Sequence, residues 1–139
     1  MFAIIFAMAL MQQSSPQIVT VAQGSRSGIE EHREAIVRTA ADWPALWKAH
    51  GASGSPPAVD FANDMVVAVF LGTRPTGGFR VEITGAHAEA QLLVVDYVER
   101  RPGPEDIVSQ ALTSPFHIVR LPRHAGPVSF RLVSPPDRR

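Results

Sequence analysis

The 139-residue sequence contains no cysteine. This absence excludes disulfide bonds, iron–sulfur clusters, catalytic thiols and zinc sites built on thiolates. It also leads us to expect no membrane anchor, because the lipid anchor of an exported protein is attached to a cysteine that directly follows its export signal. A chain of this length is expected to form one domain and to bury a core of its own.

The sequence has no excess of charge of either sign, with 13 basic and 13 acidic residues. Proteins that bind nucleic acid usually carry a basic surplus, so we expect no nucleic-acid partner. Residues 115–139 are a local exception, with five arginines and one aspartate. We interpret these arginines as solvated residues on strand faces.

Patterns of metal ligands are also lacking. The five histidines are His32, His50, His87, His117 and His124. No two of them have the spacing of an H-E-x-x-H helix, and no acidic cluster lies beside them. We therefore predict no metal and no cofactor, and we leave open a surface site formed by His117 and His124.

Long hydrophobic segments are few, and the longest one opens the chain. Residues 1–11 are apolar and lead into a Gln/Ser segment. This pattern is typical of an export signal and is too short to span a bilayer as a helix. The first charged residue is Arg26, so the charged start of such a signal is missing. The alternatives are a true start further upstream that carries Lys or Arg, and an unusual core strand.

We predict a signal or apolar segment over residues 1–15, one domain over residues 16–134 and a flexible tail over residues 135–139. The signal predicts a periplasmic or extracellular protein. Ten glycines and twelve prolines indicate many turns and few long helices.

Strand patterns dominate the rest of the chain. Runs rich in β-branched or alternating apolar residues predict strands over residues 17–24, 65–72, 79–84, 91–99, 116–121 and 127–133. Residues 65–72 do not alternate, which indicates a central strand covered on both faces. We expect the last two strands to pair with each other, and five to seven residues to join the strands at 79–84 and 91–99. The predicted fold is mainly β (α+β), an antiparallel sheet or sandwich of about six strands with one short Trp-rich helix packed on it.

The helix is predicted from residues 42–51. Asp42 is placed to cap its start and Gly51 to end it. Trp43, Leu46 and Trp47 fall on one face at i, i+3 and i+4. We interpret this stripe as packing against the sheet, in preference to an aromatic ligand platform.

A glycine-rich loop follows the central strand. Gly72 and Gly77 have the spacing of a phosphate-binding P-loop. Gly78 and Phe79 stand where such a loop needs Lys and Ser/Thr, and an alternating strand follows in place of a helix. We predict a turn between two paired strands.

That turn is also a candidate contact surface. We expect Arg74 and Thr76 at its exposed tip, where an arginine can bind a partner's carboxylate. The glycines would let another backbone approach closely. An open sheet edge would accept an extended segment of the same partner.

The segments "VVAVFLGTRPTGGFRVEI", "SQALTSPFHIVRLPR" and "PVSF", together with "DWPALWKAHG", resemble the PrcB C-terminal domain family. The likeness spans residues 42–130. It implies a non-catalytic, stabilising accessory subunit of a surface protease complex, in an exported bacterial protein. The expected partner is therefore a protein, with an exported protease as the candidate, and the oligomeric state is left open.

The motif positions give the candidate binding residues Arg74, Thr76, Gly77, Gly78, Gln110, Thr113 and His117. We assign no catalytic residue and predict that the chain is not an enzyme. The alternative is a small hydrolase or a small-ligand-binding domain that uses the loops at 72–79 and 110–117. Ser114 and His117 argue weakly for hydrolysis, because residues three apart on a strand face opposite sides and no G-x-S-x-G motif is present.

Overall fold

The computed structural model describes residues 17–134. The predicted signal (1–15) and tail (135–139) lie outside the described residues. The strands are β1 (Val19–Gly24), β2 (Arg33–Val37), β3 (Asp64–Phe70), β4 (Arg80–Glu89), β5 (Leu92–Arg100), β6 (Phe116–Pro122) and β7 (Val128–Leu132). One helix, α1 (Trp43–His50), lies between β2 and β3.

The strands form two sheets. Sheet A has the order β1-β6-β3-β2 and is antiparallel throughout. Sheet B has the order β4-β5-β7, in which β4 and β5 are antiparallel and β5 and β7 are parallel. The predicted mainly β fold with one short helix is confirmed, with seven strands within residues 17–134.

The prediction that the last two strands pair is wrong. β6 is in sheet A and β7 is in sheet B, because the loop between them crosses from one sheet to the other. Arg38, just after β2, holds this loop: its guanidinium donates to the carbonyls of His124 at 2.9 Å and Gly126 at 2.9 Å. A short loop that looks like a hairpin connection therefore serves as a bridge between layers.

The core has two parts, one on each face of sheet A. Between the two sheets lie Met65, Val67 and Val69 of β3, with Val81, Ile83, Val95, Tyr97, Val119 and Leu121. Between sheet A and α1 lie Val66, Ala68 and Phe70 of β3, with Trp43, Leu46 and Ile118. Both faces of β3 are therefore covered, which explains its unbroken apolar sequence and confirms it as a central strand.

Helix α1 packs on sheet A as predicted. Trp43 and Leu46 are buried, and the Trp43 indole N–H donates to the Pro57 carbonyl at 2.8 Å. The helix ends at Gly51, whose φ is 93°. Asp42 does precede the helix, but its carboxylate accepts a hydrogen bond from the Thr39 hydroxyl and does not cap the helix, so the predicted cap is wrong.

The β4–β5 connection is shorter than predicted. β4 continues to Glu89, and only Ala90 and Gln91 join it to β5. A bulge between Ile83 and Gly85 shifts the register of the pair. Since a bulge resets which residues point inward, the alternation breaks at this point and the sequence is easily read as the end of the strand.

Leu46 tests the packing of α1 on sheet A. Replacing Leu46 with Ala should lower the free energy of unfolding by about 2–5 kcal/mol, because it leaves a cavity between the helix and the sheet. Lys48 is exposed on the same helix, and Lys48→Ala should change stability by less than about 0.5 kcal/mol. Urea unfolding of both variants measures the difference, and equal effects would contradict this packing.

Candidate functional site

The loops at 72–79 and 110–117 lie side by side. Arg74 and Thr113 exchange backbone hydrogen bonds, with N–H to carbonyl distances of 2.8 Å and 3.0 Å. The Thr113 hydroxyl also donates to the Thr76 carbonyl at 2.8 Å. The structure therefore brings three of the predicted binding residues together in one rigid pair of loops.

A third segment, residues 25–30, completes this region at the end of sheet A. Ser27 donates its backbone N–H to the Ser114 carbonyl at 3.1 Å, and Ser114 donates to the Ser25 carbonyl at 2.8 Å. Thr73 donates its N–H to the Glu30 carbonyl at 3.2 Å. Backbone pairing fixes all three segments, so the surface they form is preorganised.

These segments enclose a cleft of about 230 Å³ lined by Arg26, Ser27, Glu30, Thr73, Leu112, Thr113 and Ser114. Thr113 and Ser114 are buried at its floor. Leu112 stands at its rim with 67% of its surface exposed. Sequence reasoning missed most of this lining, although an isolated apolar Leu112 within a polar loop was an available signal.

The predicted position of Arg74 is wrong in one respect: the side chain is not free at the tip of the turn. Its Nε donates to a Glu99 carboxylate oxygen at 2.8 Å, and the side chain of Glu99 is mostly buried. Another guanidinium nitrogen donates to the Leu71 carbonyl at 3.2 Å. Arg74 therefore fastens the loop to β5, and its predicted role in binding a partner stays a prediction.

The glycine-rich segment is a crossover between sheets. No helix follows Gly78, since β4 begins at Arg80, so the phosphate-loop interpretation fails on structure as well as on sequence. The predicted pairing of the strands on either side is wrong, because β3 pairs with β2 and β6 whereas β4 pairs with β5. The chain leaves one layer here and enters the other.

The space beside the glycines is filled by the chain itself. Gly77 donates its N–H to the Ser109 carbonyl at 3.0 Å. A Cβ on Gly78 would lie 2.7 Å from Val108 Cγ1 and 2.8 Å from Pro102 Cβ. The close approach predicted for a partner's backbone is thus made by residues 102–109, while Gln110 next to them is exposed.

His117 lies away from this cleft, between the two sheets. Only 3% of its surface is exposed. Its Nδ1 accepts a hydrogen bond from the Ile83 backbone N–H at 2.8 Å, and its Nε2 donates to the Thr20 hydroxyl at 2.8 Å. Both ring nitrogens are therefore occupied, so in this arrangement His117 serves neither as a surface contact nor as a base for Ser114.

Burial lowers the pKa of His117 to about 4. The carboxylate of Glu82 opposes this shift, and the guanidinium of Arg80 adds to it. The imidazole is consequently neutral at pH 7, as its acceptor role toward Ile83 requires.

A second buried histidine contacts a serine that sequence reasoning also missed. Ser27 Oγ lies 2.9 Å from His50 Nδ1 and accepts the Ile29 N–H at 3.0 Å. Burial lowers the pKa of His50, whose ring packs edge-on against Phe116. Among residues 17–134 no carboxylate is bonded to His50, so the pair lacks the third group that orients a catalytic base. It joins the end of α1 to the segment before β2.

The two-histidine surface site left open by the sequence does not form. His124 Nε2 donates to the Gln91 carbonyl at 2.9 Å, whereas His117 is enclosed between the sheets. Within residues 17–134 no three His, Asp or Glu side chains are grouped to hold a metal ion. In the same part of the chain, α1 is far too short to cross a membrane.

Residues 65–122 match the family described as PrcB C-terminal. This match supports a PrcB C-terminal segment over these residues. The resemblance predicted from the motifs is confirmed there, over a shorter span than residues 42–130. Comparisons with curated proteins and with solved structures give no match.

The PrcB C-terminal segment runs from β3 to β6. It contains both loops, the Arg74–Glu99 pair and His117. Three residues of the cleft, Arg26, Ser27 and Glu30, lie outside it, as do α1 and β7. The family segment thus supplies the floor and rim of the cleft, and the chain preceding it supplies one wall.

The lowered pKa of His117 predicts that the protein loses stability in acid. The pKa of His117 is about 4 in the folded protein and 6.5 as the ordinary value, so protons bind the unfolded chain more tightly between these pH values. Stability is full above pH 6.5 and falls toward pH 4 by roughly 3 kcal/mol, at about 1.36 kcal/mol per pH unit. Urea unfolding from pH 7 to pH 4 measures this slope.

His117→Gln cannot titrate and should flatten most of that slope, even if it lowers stability at pH 7. The matched control is His32→Gln, at an exposed position, which should retain the slope. A slope that persists unchanged in His117→Gln would show that another group causes it.

Gly78 predicts a strict requirement for glycine in the crossover. Gly78→Ala should destabilise the domain by at least about 1–2 kcal/mol, because its φ is 88° and a Cβ would meet Val108 and Pro102. A Cβ on Gly85 meets no atom within 4 Å, so Gly85→Ala should be close to neutral. Thermal unfolding of the two variants tests the difference, and equal melting temperatures would contradict it.

Proposed function

We propose that this chain is a non-catalytic protein-binding module that acts as a stabilising accessory subunit of an exported protease complex. The observation that carries the proposal is the preorganised cleft between residues 25–30, 72–79 and 110–117, with an exposed apolar rim. The match of residues 65–122 to the PrcB C-terminal family supports the connection to a protease complex. The signal predicted at residues 1–15 supports action in the periplasm or outside the cell.

The rim of the cleft has the chemistry of a protein contact. Leu112 lines the cleft and is 67% exposed; Ile107, in the same connection between β5 and β6 but outside the cleft lining, is fully exposed. An exposed apolar side chain beside a preorganised polar cleft can serve as an anchor for a partner. The loop is held by the bonds of Ser109 to Gly77 and of Thr113 to Arg74, so little order is lost on binding.

The polar lining suits an extended peptide segment. Arg26 and Glu30 are exposed and offer one charge of each sign, whereas the Ser27 and Thr73 hydroxyls are bonded within the domain. The two charged side chains can bond the carbonyls and N–H groups of a peptide backbone while Leu112 packs on a side chain. Hydrolysis through Ser114 and His117 is not part of the proposal, because both nitrogens of His117 are bonded elsewhere.

Leu112 and Ile107 provide the test. In a pull-down with the full-length chain from the envelope fraction of cells that produce it, Leu112→Asp and Ile107→Asp should reduce recovery of the bound protein at least tenfold. Their melting temperatures should stay unchanged, because both side chains are exposed in the free domain. Ile36→Asp, at an exposed apolar position on β2, is the matched control and should retain recovery.

Recovery that is insensitive to both Leu112→Asp and Ile107→Asp would overturn the proposal. Arg74→Ala is a poor probe of binding, because it also removes the partner of the mostly buried Glu99 carboxylate and should lower the melting temperature.

A further inference from the structure

β7 is an edge strand of sheet B. Two of its hydrogen bonds to β5 show which of its residues direct their backbone groups outward. Leu93 donates its N–H to the Pro127 carbonyl at 3.0 Å, and Val133 donates to the Tyr97 carbonyl at 2.8 Å. In a parallel pair, alternate residues of a strand direct both backbone groups to the same neighbour. Residues 127, 129, 131 and 133 therefore face β5, and Val128, Phe130 and Leu132 direct their N–H and C=O groups outward.

These outward groups have no strand partner within residues 17–134. The opposite edge of sheet B is different, because side chains of sheet A reach it. Gln23 donates to the Val81 carbonyl at 2.9 Å, and His117 accepts from Ile83. The free edge of the sheet is therefore the β7 side, with three donors and three acceptors.

We propose that β7 pairs antiparallel with β7 of a second copy of this chain, with Phe130 on the two-fold axis. Phe130 then lies opposite the partner's Phe130. Val128 lies opposite the partner's Leu132, and Ser129 lies opposite the partner's Arg131. The three outward-facing residues of each copy form six hydrogen bonds, and the two three-stranded sheets become one of six strands.

The argument for a second copy is that this register is self-complementary. Apolar residues meet apolar residues on one face, and Ser129 meets arginine on the other, so no like charges are opposed. Arg131 keeps its own partner, since its Nε donates to Asp96 at 2.9 Å. Leu132, 59% exposed in one copy, gains an apolar neighbour.

The β2 edge of sheet A lacks this complementarity. On β2, antiparallel pairing about Ala35 would place Glu34 opposite the partner's Ile36 and Arg33 opposite the partner's Val37. A charged side chain opposite an apolar one gains nothing from the pairing. A two-fold interface at β7 also closes on itself, so association stops at the dimer.

Ser129 provides matched variants for the test. Ser129→Arg places arginine opposite the partner's Arg131 twice per dimer, and Ser129→Glu places an opposite charge there. Sedimentation equilibrium of the full-length chain should show a Kd raised by Ser129→Arg and lowered by Ser129→Glu, each roughly 2- to 30-fold, because two cross-strand charge pairs change at once. Both should leave the monomer folded, since Ser129 is exposed.

Disulfide crosslinking of introduced cysteines can establish the register, because the chain has no cysteine of its own. A mixture of Ser129→Cys and Arg131→Cys chains should oxidise to mixed dimers faster than either variant alone. An Ile36→Cys chain, on the β2 edge, should remain uncrosslinked. A monomer at all concentrations, a shift of Kd in the same direction for both charge variants, or preferred crosslinking at Ile36 would each overturn the proposal.

Discussion

The contact between the sheets depends on a neutral imidazole. His117 projects from the middle of sheet A and accepts the backbone N–H of Ile83 at the edge of sheet B, while Thr20 holds its other nitrogen. A charged ring would lose its acceptor and would place a cation in a core of Val, Ile and Leu side chains. Gln23 satisfies the Val81 carbonyl on the same edge. Together these two side chains satisfy the Val81 carbonyl and the Ile83 N–H on the edge of β4 that has no neighbouring strand.

Much of the fold could be predicted from the sequence, because periodicity reports burial. The unbroken run in β3 predicts two covered faces, and the Trp43–Leu46 stripe predicts a helix lying on one of them. Strand pairing could not be predicted, because short loops suggest hairpins. The loops after β3 and β6 instead cross between layers, and the bonds that fix them come from distant residues such as Arg38. β2 was missed because most of its side chains are exposed and carry little pattern.

The candidate site shows the same division between local and distant information. The family motifs point to the loops at 72–79 and 110–117, and the structure shows that the two loops lie side by side. The state of each side chain does not follow, because it depends on residues far away in sequence. Glu99 binds Arg74 from β5, and residues 102–109 fill the space beside Gly77 and Gly78. The wall that contains Arg26 and Glu30 precedes the family segment and carries no motif of its own.

The pairing of β1 with β6 has a consequence for how the chain folds. Val19 lies opposite Arg120, so the first and sixth strands meet only after most of the chain is available. Closing such a long loop costs conformational entropy before the contact adds stability, and domains rich in such contacts fold slowly. β6 lies between β1 and β3 in sheet A, so the sheet cannot be completed until the sixth strand has been synthesised.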